Sequence, residues 1–396
     1  MKSITVVCKD ASLPGEGILT KVFYISSYLK KYGWSVNLIT SNQPHTFFNF
    51  PDLYNDANFE ITKINSLKFT KNEPKKRLLS WLLFDIKVFL LLLFKKRTDI
   101  YFVSSIPITS LFSVYLLSRI KKSKYVIDIR DIWPLTLIDE ASYSENSIPI
   151  KIFSFIERFC SNQSDLVVSS IPLLYKYNLD ILKVDKKFTF MPICIDEYFL
   201  DNEFKRKRVT NNDSISIGYT GTVGMANDLN NLLNAAEKLK YDKRFEFIII
   251  GDGPLLDFYI QKFKNNNKIK FLGQIPRKEI NHYYEKFDIG FISVSNAKVW
   301  KYGQSLNKLV SYMENAVPVI FACPNFFHKS MVDEADCGFF VSNQDSSDIV
   351  KILERIVQLD RESLKNLGEN GRTWILRNRK YADHVQRLSN DLRALI

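Results

Sequence analysis

The stretch GQSLNKLVSYMENAVPVIF, Gly303 to Phe321, decides how this chain is read. A polar loop opens it, a short helix follows from about Asn307, and the apolar run Val317 to Ala322 reads as a buried strand. The first turn of a helix leaves backbone N–H groups unpaired, and the helix dipole adds partial positive charge there. A loop that feeds such a turn is a natural seat for phosphate. Ser305, Asn307 and Lys308 bring two polar groups and one cation to it.

Outward from this segment the same grammar repeats. Strands are expected at Ile215–Thr220, Phe245–Ile250, Ile269–Leu272 and Ile289–Val294, separated by helical patterns at Leu229–Leu239, Leu255–Phe263 and Lys278–Phe287. Short apolar runs alternating with helices imply a parallel sheet covered on both faces. The first half shows the alternation too: Ile4–Cys8, Ser35–Thr40, Ile100–Ser104, Lys124–Ile129 and Asp165–Ser169 read as strands, and Ile18–Tyr32 as a helix. A length of 396 residues already favours two cores over one. The charged run Glu203–Ser214 marks the boundary. We therefore expect a first Rossmann-like domain over 1–200, a second over 201–380, and a last helix, 381–396, long enough to return to the first. Ligands in such sheets bind at the carboxyl ends of the strands.

Several turns fall at those strand ends. Pro14-Gly15-Glu16-Gly17 is either an ordinary strand–helix turn or a loop that lets backbone approach a ligand. It is not a GxGxxG fingerprint, so nicotinamide binding is not supported. Asp128-Ile129-Arg130-Asp131-Ile132-Trp133-Pro134 is either a salt-bridged loop or a site for sugar hydroxyls. Ser104-Ser105-Ile106-Pro107 ends another strand. In the second half come Gly218-Tyr219-Thr220-Gly221-Thr222, Gly251-Asp252-Gly253-Pro254 and Gly273-Gln274-Ile275-Pro276.

Taken in order, these segments resemble the retaining family 4 glycosyltransferases, in the branch of O-antigen and capsule enzymes similar to fucosamine transferases. The carriers are the Gly15–Gly17 loop, Asp-x-x-Asp-x-Trp-Pro at Asp128–Pro134, Gly-x-Gly-Pro at Gly251–Pro254 and Ser-x-Asn-Lys-Leu at Ser305–Leu309. The resemblance implies a GT-B fold, α/β, with two doubly wound Rossmann-like domains facing a cleft. It implies transfer of a sugar from a UDP-sugar, an N-acetylated amino sugar by analogy, to a polyprenyl-diphosphate-linked saccharide. Glu16, Asp131 and Lys308 are the implied catalytic residues. The implied nucleotide-sugar contacts are Gly15, Gly17, Gly221, Thr222, Gly251, Gly273, Gln274, Ile275, Ser305, Leu306, Asn307, Lys308, Leu309 and Ser311. Ser105, Asp128, Arg130 and Trp133 are the implied acceptor contacts. No carboxylate cluster for a metal is evident, so neither metal nor other cofactor is expected.

Two departures stand out. The glycine loop after Thr220 is usually followed by a Lys or Arg for the diphosphate; here Met225, Ala226, Asn227 and Asp228 follow, with Lys298 or Lys301 as conceivable substitutes. The glutamate that reads ribose is replaced by Ser311, leaving Ser311, Glu314 or backbone for that task.

Charge adds a second theme. The net charge is +12, and residues 60–125 hold 14 Lys/Arg against 4 Asp/Glu, a surplus of +10. Within them, WLLFDIKVFLLLLF (81–94) is too short for a membrane span. It reads either as a buried helix or as a helix lying on an anionic membrane surface between Lys75-Lys76-Arg77 and Lys95-Lys96-Arg97. The N-terminus reads as a strand, not a signal peptide, and five scattered cysteines suit a reducing compartment. The expected place is cytoplasmic, peripheral on the inner membrane face. A polyanion-binding protein using the basic segment and a same-fold sugar-nucleotide epimerase stay open; no nucleic-acid motif supports the first.

Overall fold

In the computed structural model, residues 1–12, 21–42, 59–69, 73–195, 214–303, 306–324, 330–342 and 345–396 are described. The chain divides into two compact units. The first comprises Met1–Asp196, Tyr302–Ser305 and Tyr381–Ile396; the second comprises Glu197–Lys301 and Leu306–Lys380. A linear reading places 302–305 in the second unit, whereas the structure groups them with the first. There the backbone N–H of Leu173 donates to the Tyr302 carbonyl at 2.9 Å.

The first unit is built on seven parallel strands: β1 (Ser3–Val7), β2 (Ser35–Ser41), β3 (Glu60–Ile64), β4 (Ile100–Ser104), β5 (Lys124–Ile129), β6 (Leu166–Ser169) and β7 (Phe188–Phe190), in the order β3-β2-β1-β4-β5-β6-β7. The second carries six: β8 (Ile215–Thr220), β9 (Phe245–Ile250), β10 (Ile269–Gly273), β11 (Ile289–Ser293), β12 (Val319–Ala322) and β13 (Gly338–Val341), in the order β10-β9-β8-β11-β12-β13. Both are doubly wound α/β sheets. In each, strand order reverses between the first and fourth strands, β1/β4 and β8/β11, which is where such sheets open a ligand crevice at their carboxyl edge.

The strands form because helices cover both faces, so nearly every side chain must be apolar. β9 shows this: FEFIII has five of its six residues buried. Its Phe245, Phe247 and Ile249 share one core cluster with Ile217, Tyr219, Phe291, Leu232, Leu353 and Ile356. The first core gathers Val6, Leu38, Phe102, Val126 and Val168 with the last helix, Tyr381–Arg393, through Tyr381, Val385, Leu388 and Leu392. Trp34 Nε1 donates to Ser389 Oγ at 2.8 Å, so this helix is pinned by a polar tie as well as by burial.

The apolar segment after residue 73 is a helix of 21 residues, Pro74–Phe94, with Pro74 in its first turn. Its N–H is not missed there, because that position has no intrahelical partner. Of the readings left open for 81–94, a buried helix describes one side only. Ser80, Trp81, Phe84, Val88 and Leu92 are buried, while Leu78, Leu82, Ile86, Leu90 and Phe94 recur every four residues on the exposed face. Among the described residues no helix is long and apolar enough to cross a membrane.

Candidate functional site

In the second unit the loops after β8, β9 and β10 stack against one another. The Gly221 N–H donates to the Ile250 carbonyl at 2.9 Å, and the Gly251 N–H to the Gly273 carbonyl at 2.8 Å. Gly221 and Gly251 have φ of +140° and +144°, and a Cβ on Gly251 would stand 1.8 Å from the Gly221 oxygen. Only glycine suits that approach.

Onto this cradle the Asn307–Glu314 helix brings its first turn. Leu309, Val310, Tyr312 and Met313 are buried and fix the helix to the sheet. Tyr312 Oη accepts from the Thr220 N–H at 3.0 Å and donates to the Gly218 carbonyl at 3.2 Å, so helix and β8 are bolted together. Lys308 then points across the Gly221 loop: a Cβ at Gly221 would lie 3.0 Å from Lys308 Cε. Its Nζ donates to Tyr219 Oη at 2.9 Å and to Asn227 Oδ1, and sits 4.5 Å from the centre of the Tyr219 ring. Asn227 Nδ2 and Tyr219 Oη both donate to the Thr222 carbonyl, at 2.9 and 2.7 Å. All the partners of Lys308 named here are neutral. Burial therefore pulls its pKa down to about 7.

This arrangement gathers Gly221, Thr222, Gly251, Gly273, Asn307 and Lys308 at one sheet edge, with Leu306 and Ile275 half-buried beside it and Gln274 exposed. Leu309 requires correction, because its side chain is buried in the core and cannot touch a ligand. Ser305 lies outside the described residues, as do Gly15, Glu16 and Gly17. Ser311 and Glu314 are half-buried further along the helix, and Lys298 and Lys301 are exposed on a 3-10 turn. Sequence reasoning missed Tyr219 and Asn227. Asn227 stands where the expected cation is absent, and its Oδ1 holds the Lys308 ammonium.

In the first unit the crevice edge carries the ends of β1, β4 and β5. Asp128 is fully buried: Lys21 Nζ donates to it at 2.9 Å and Ser104 Oγ at 3.3 Å. Its expected role as an acceptor contact is corrected, since it holds the strand end together and has no face to solvent. The salt-bridge reading of this segment holds at Asp128, with Lys21 as its partner. Ser105 is buried too, its Oγ accepting from the Arg130 N–H at 3.0 Å. Asp131 is exposed; surrounding protein raises its carboxyl pKa and the neighbouring Arg130 opposes the rise. Arg130 Nη1 is buried without a hydrogen-bond partner among the described residues. Burial works against its charge, but Cys8, Asp128, Asp131 and Asp10 more than offset this. A charged donor left unmatched costs free energy that a ligand oxygen can recover. Trp133 is half-buried 5.7 Å from Trp81 and 6.0 Å from Phe153, with the Arg77 guanidinium 4.8 Å from the Trp81 ring.

The Lys21–Asp128 pair gives a sharp stability test. Lys21→Met leaves a buried carboxylate uncompensated and is expected to cost about 3–5 kcal/mol in urea unfolding, against under about 0.5 kcal/mol for the exposed Asp131→Asn. A loss below about 1 kcal/mol for Lys21→Met would reject the structural role.

Residues 201–374 match the family described as Glycosyl transferases group 1. The chain is 23% identical over 285 residues, 68% of each chain, to a probable glycosyltransferase WbjE of Pseudomonas aeruginosa. Among solved structures it is similar to Alr3699/HepE of Anabaena in complex with UDP and glucose, with TM-score 0.67, 13% identity and full coverage of both chains. It is also similar to WaaG, a glycosyltransferase involved in lipopolysaccharide biosynthesis, with TM-score 0.64, 12% identity and coverage of 98% of this chain and 99% of that one. The fold is thus that of GT-B glycosyltransferases, and the family match and fold together support an enzyme of the hexosyltransferase type.

Proposed function

We propose that the chain is a retaining glycosyltransferase of family 4 that moves a sugar from a UDP-sugar to a polyprenyl-diphosphate-linked saccharide in O-antigen or capsule synthesis. The observation that carries the donor half is Lys308, held over the Gly221 loop at a helix start beside the Gly221–Gly251 cradle. A diphosphate seated there meets backbone N–H groups, the helix dipole and the Lys308 cation. The glycosidic carbon–oxygen bond to the β-phosphate breaks and UDP leaves. The acceptor oxygen bonds to the same face of that carbon and gives its proton to the departing phosphate. Asp131 and Arg130 orient acceptor hydroxyls. Trp133 supplies an apolar wall.

An acceptor on a lipid calls for contact with a membrane. The Pro74–Phe94 helix supplies it, with its exposed leucine–isoleucine stripe and basic residues at both ends. The neighbouring helices extend the face through Leu116 and Ile120, and through Ile148, Ile152 and Phe155. Apolar side chains in the interface with cations at the headgroups give binding without a span.

The first test is melting temperature with UDP, GDP and TDP separately. A ligand that binds only the folded state raises it. A shift with UDP and little with the others is expected; no shift with any nucleotide would sink the donor assignment.

A further inference from the structure

We infer that a cavity at the amino edge of the first unit's sheet, remote from the crevice edge, is a phosphate site for the headgroup of an anionic phospholipid. The inference builds on the membrane contact proposed above. The cavity has a volume of about 600 Å³ and lies where β4, β5 and β6 begin. Arg97, Arg119, Lys122 and Lys124 line it, against the side-chain carboxylates of Asp99 and Asp165, with Ile396, the last residue of the sequence, beside them.

Both carboxylates are already engaged. Asp99 Oδ2 accepts from Ser3 N and Ser3 Oγ at 2.8 and 2.9 Å. Asp165 accepts from the Tyr125 N–H at 2.8 Å and pairs with Lys124 at 3.2 Å. That leaves three cations, and among the described residues none of Arg97, Arg119 and Lys122 has a carboxylate in ion-pair range.

Basic residues at this edge have an ordinary use, capping the carbonyl ends of helices. Lys121 does so, donating to Leu93 O and Lys95 O at 2.7 and 2.9 Å, and Arg119 Nη2 donates to Gln163 O at 2.9 Å. Capping accounts for those two and leaves Arg97, whose charge reaches Asp99 only at long range, and Lys122, both lining the cavity without a hydrogen-bonded ion pair among the described residues. An anion is the group that such a pair takes.

The rim says which anion. The Lys121 bonds hold the ends of the Pro74–Phe94 and Ile108–Ile120 helices together, and those ends carry Phe94, 85% exposed, and Ile120, 57% exposed. Each lies within three residues of a lining cation. A soluble phosphate has no use for two large apolar groups beside it, whereas a phosphodiester headgroup brings acyl chains that do. The same apolar stripe runs from this rim along the whole Pro74–Phe94 helix, so a lipid seated here would anchor the end of the membrane face farthest from Trp81 and Trp133.

The test is co-sedimentation of the full chain with vesicles of phosphatidylcholine alone and with about a third phosphatidylglycerol. It compares wild type, Arg97→Ala/Lys122→Ala and Lys75→Ala/Lys76→Ala. Diffuse attraction is worth roughly fivefold per basic residue near an anionic surface, so it predicts similar losses of about 25-fold for both pairs. A headgroup site predicts a loss at least tenfold greater for the cavity pair, with UDP-induced stabilisation unchanged. Equal losses, or none for the cavity pair, overturn the site while leaving membrane docking standing. Failure of wild type to bind either vesicle overturns docking and site together. Binding of inorganic phosphate or glycerol 3-phosphate that needs Arg97 and Lys122, with vesicle binding unaffected by their loss, overturns the lipid assignment in favour of a free phosphate.

Discussion

Lys308→Ala is expected to abolish UDP-induced stabilisation and to lower kcat/KM by about 10²–10³, the scale of losing one preorganised charge at a developing anion. Only the charged form does this work, and in the empty protein burial holds its pKa near 7. A bound diphosphate restores the charge, so above that pH binding takes up a proton. UDP affinity should therefore fall as pH rises, approaching tenfold per unit beyond about 7.5. Stability without ligand should run the other way. An unfolded lysine titrates near about 10.4, so between about 7 and 10.4 the unfolded state holds more protons, and folding gains as pH rises. Titration calorimetry in buffers of different ionisation enthalpy reads the proton directly. Flat affinity between pH 6.5 and 8.5 would show that Lys308 is not the group that meets the diphosphate. Lys308→Met should flatten both slopes.

Gly251→Ala is expected to be the most damaging small substitution in the second unit. The new Cβ would stand 1.8 Å from backbone, which cannot swing aside as a side chain can, at φ +144°. Backbone strain and a direct clash together should cost at least about 3 kcal/mol. The UDP response should vanish with it, because Gly221 and Gly251 shape one cradle. Gly273→Ala is the control: its φ is +66°, yet nothing lies within 4 Å of the added carbon. It should lose about 1–2 kcal/mol, the ordinary cost of a left-handed residue. Equal urea midpoints for the two variants would refute the close-approach argument.

The doubly wound fold was legible because a parallel sheet advertises itself. Runs such as Phe247–Ile250 and Ile100–Val103 are buried on both faces and read as unbroken apolar strands. The strands that escaped notice are those without this signature. Glu60–Ile64 is an edge strand with three polar residues in five, Phe188–Phe190 has three residues, and Gly338–Val341 is mostly half-buried. The site was legible where a motif is local, as in the turn that presents Lys308. It was not where partners come from afar: Lys21 meets Asp128 across 107 positions, and Lys308 meets Asn227 across 81. Spacing cannot report such meetings. Leu309 was within reach, since helical periodicity groups it with Tyr312 and Met313 on the inward face.

The tie between Trp34 and Ser389 spans 355 positions of chain. A ribosome adding about 5–20 residues per second needs roughly 20–70 s to make that stretch. Once β7 has been made, the first sheet has its strands but still waits for the helix that closes over Trp34, Leu29 and Val36. The first unit is thus begun first and finished last, and the second can complete its own core while its elder neighbour still waits with an open flank.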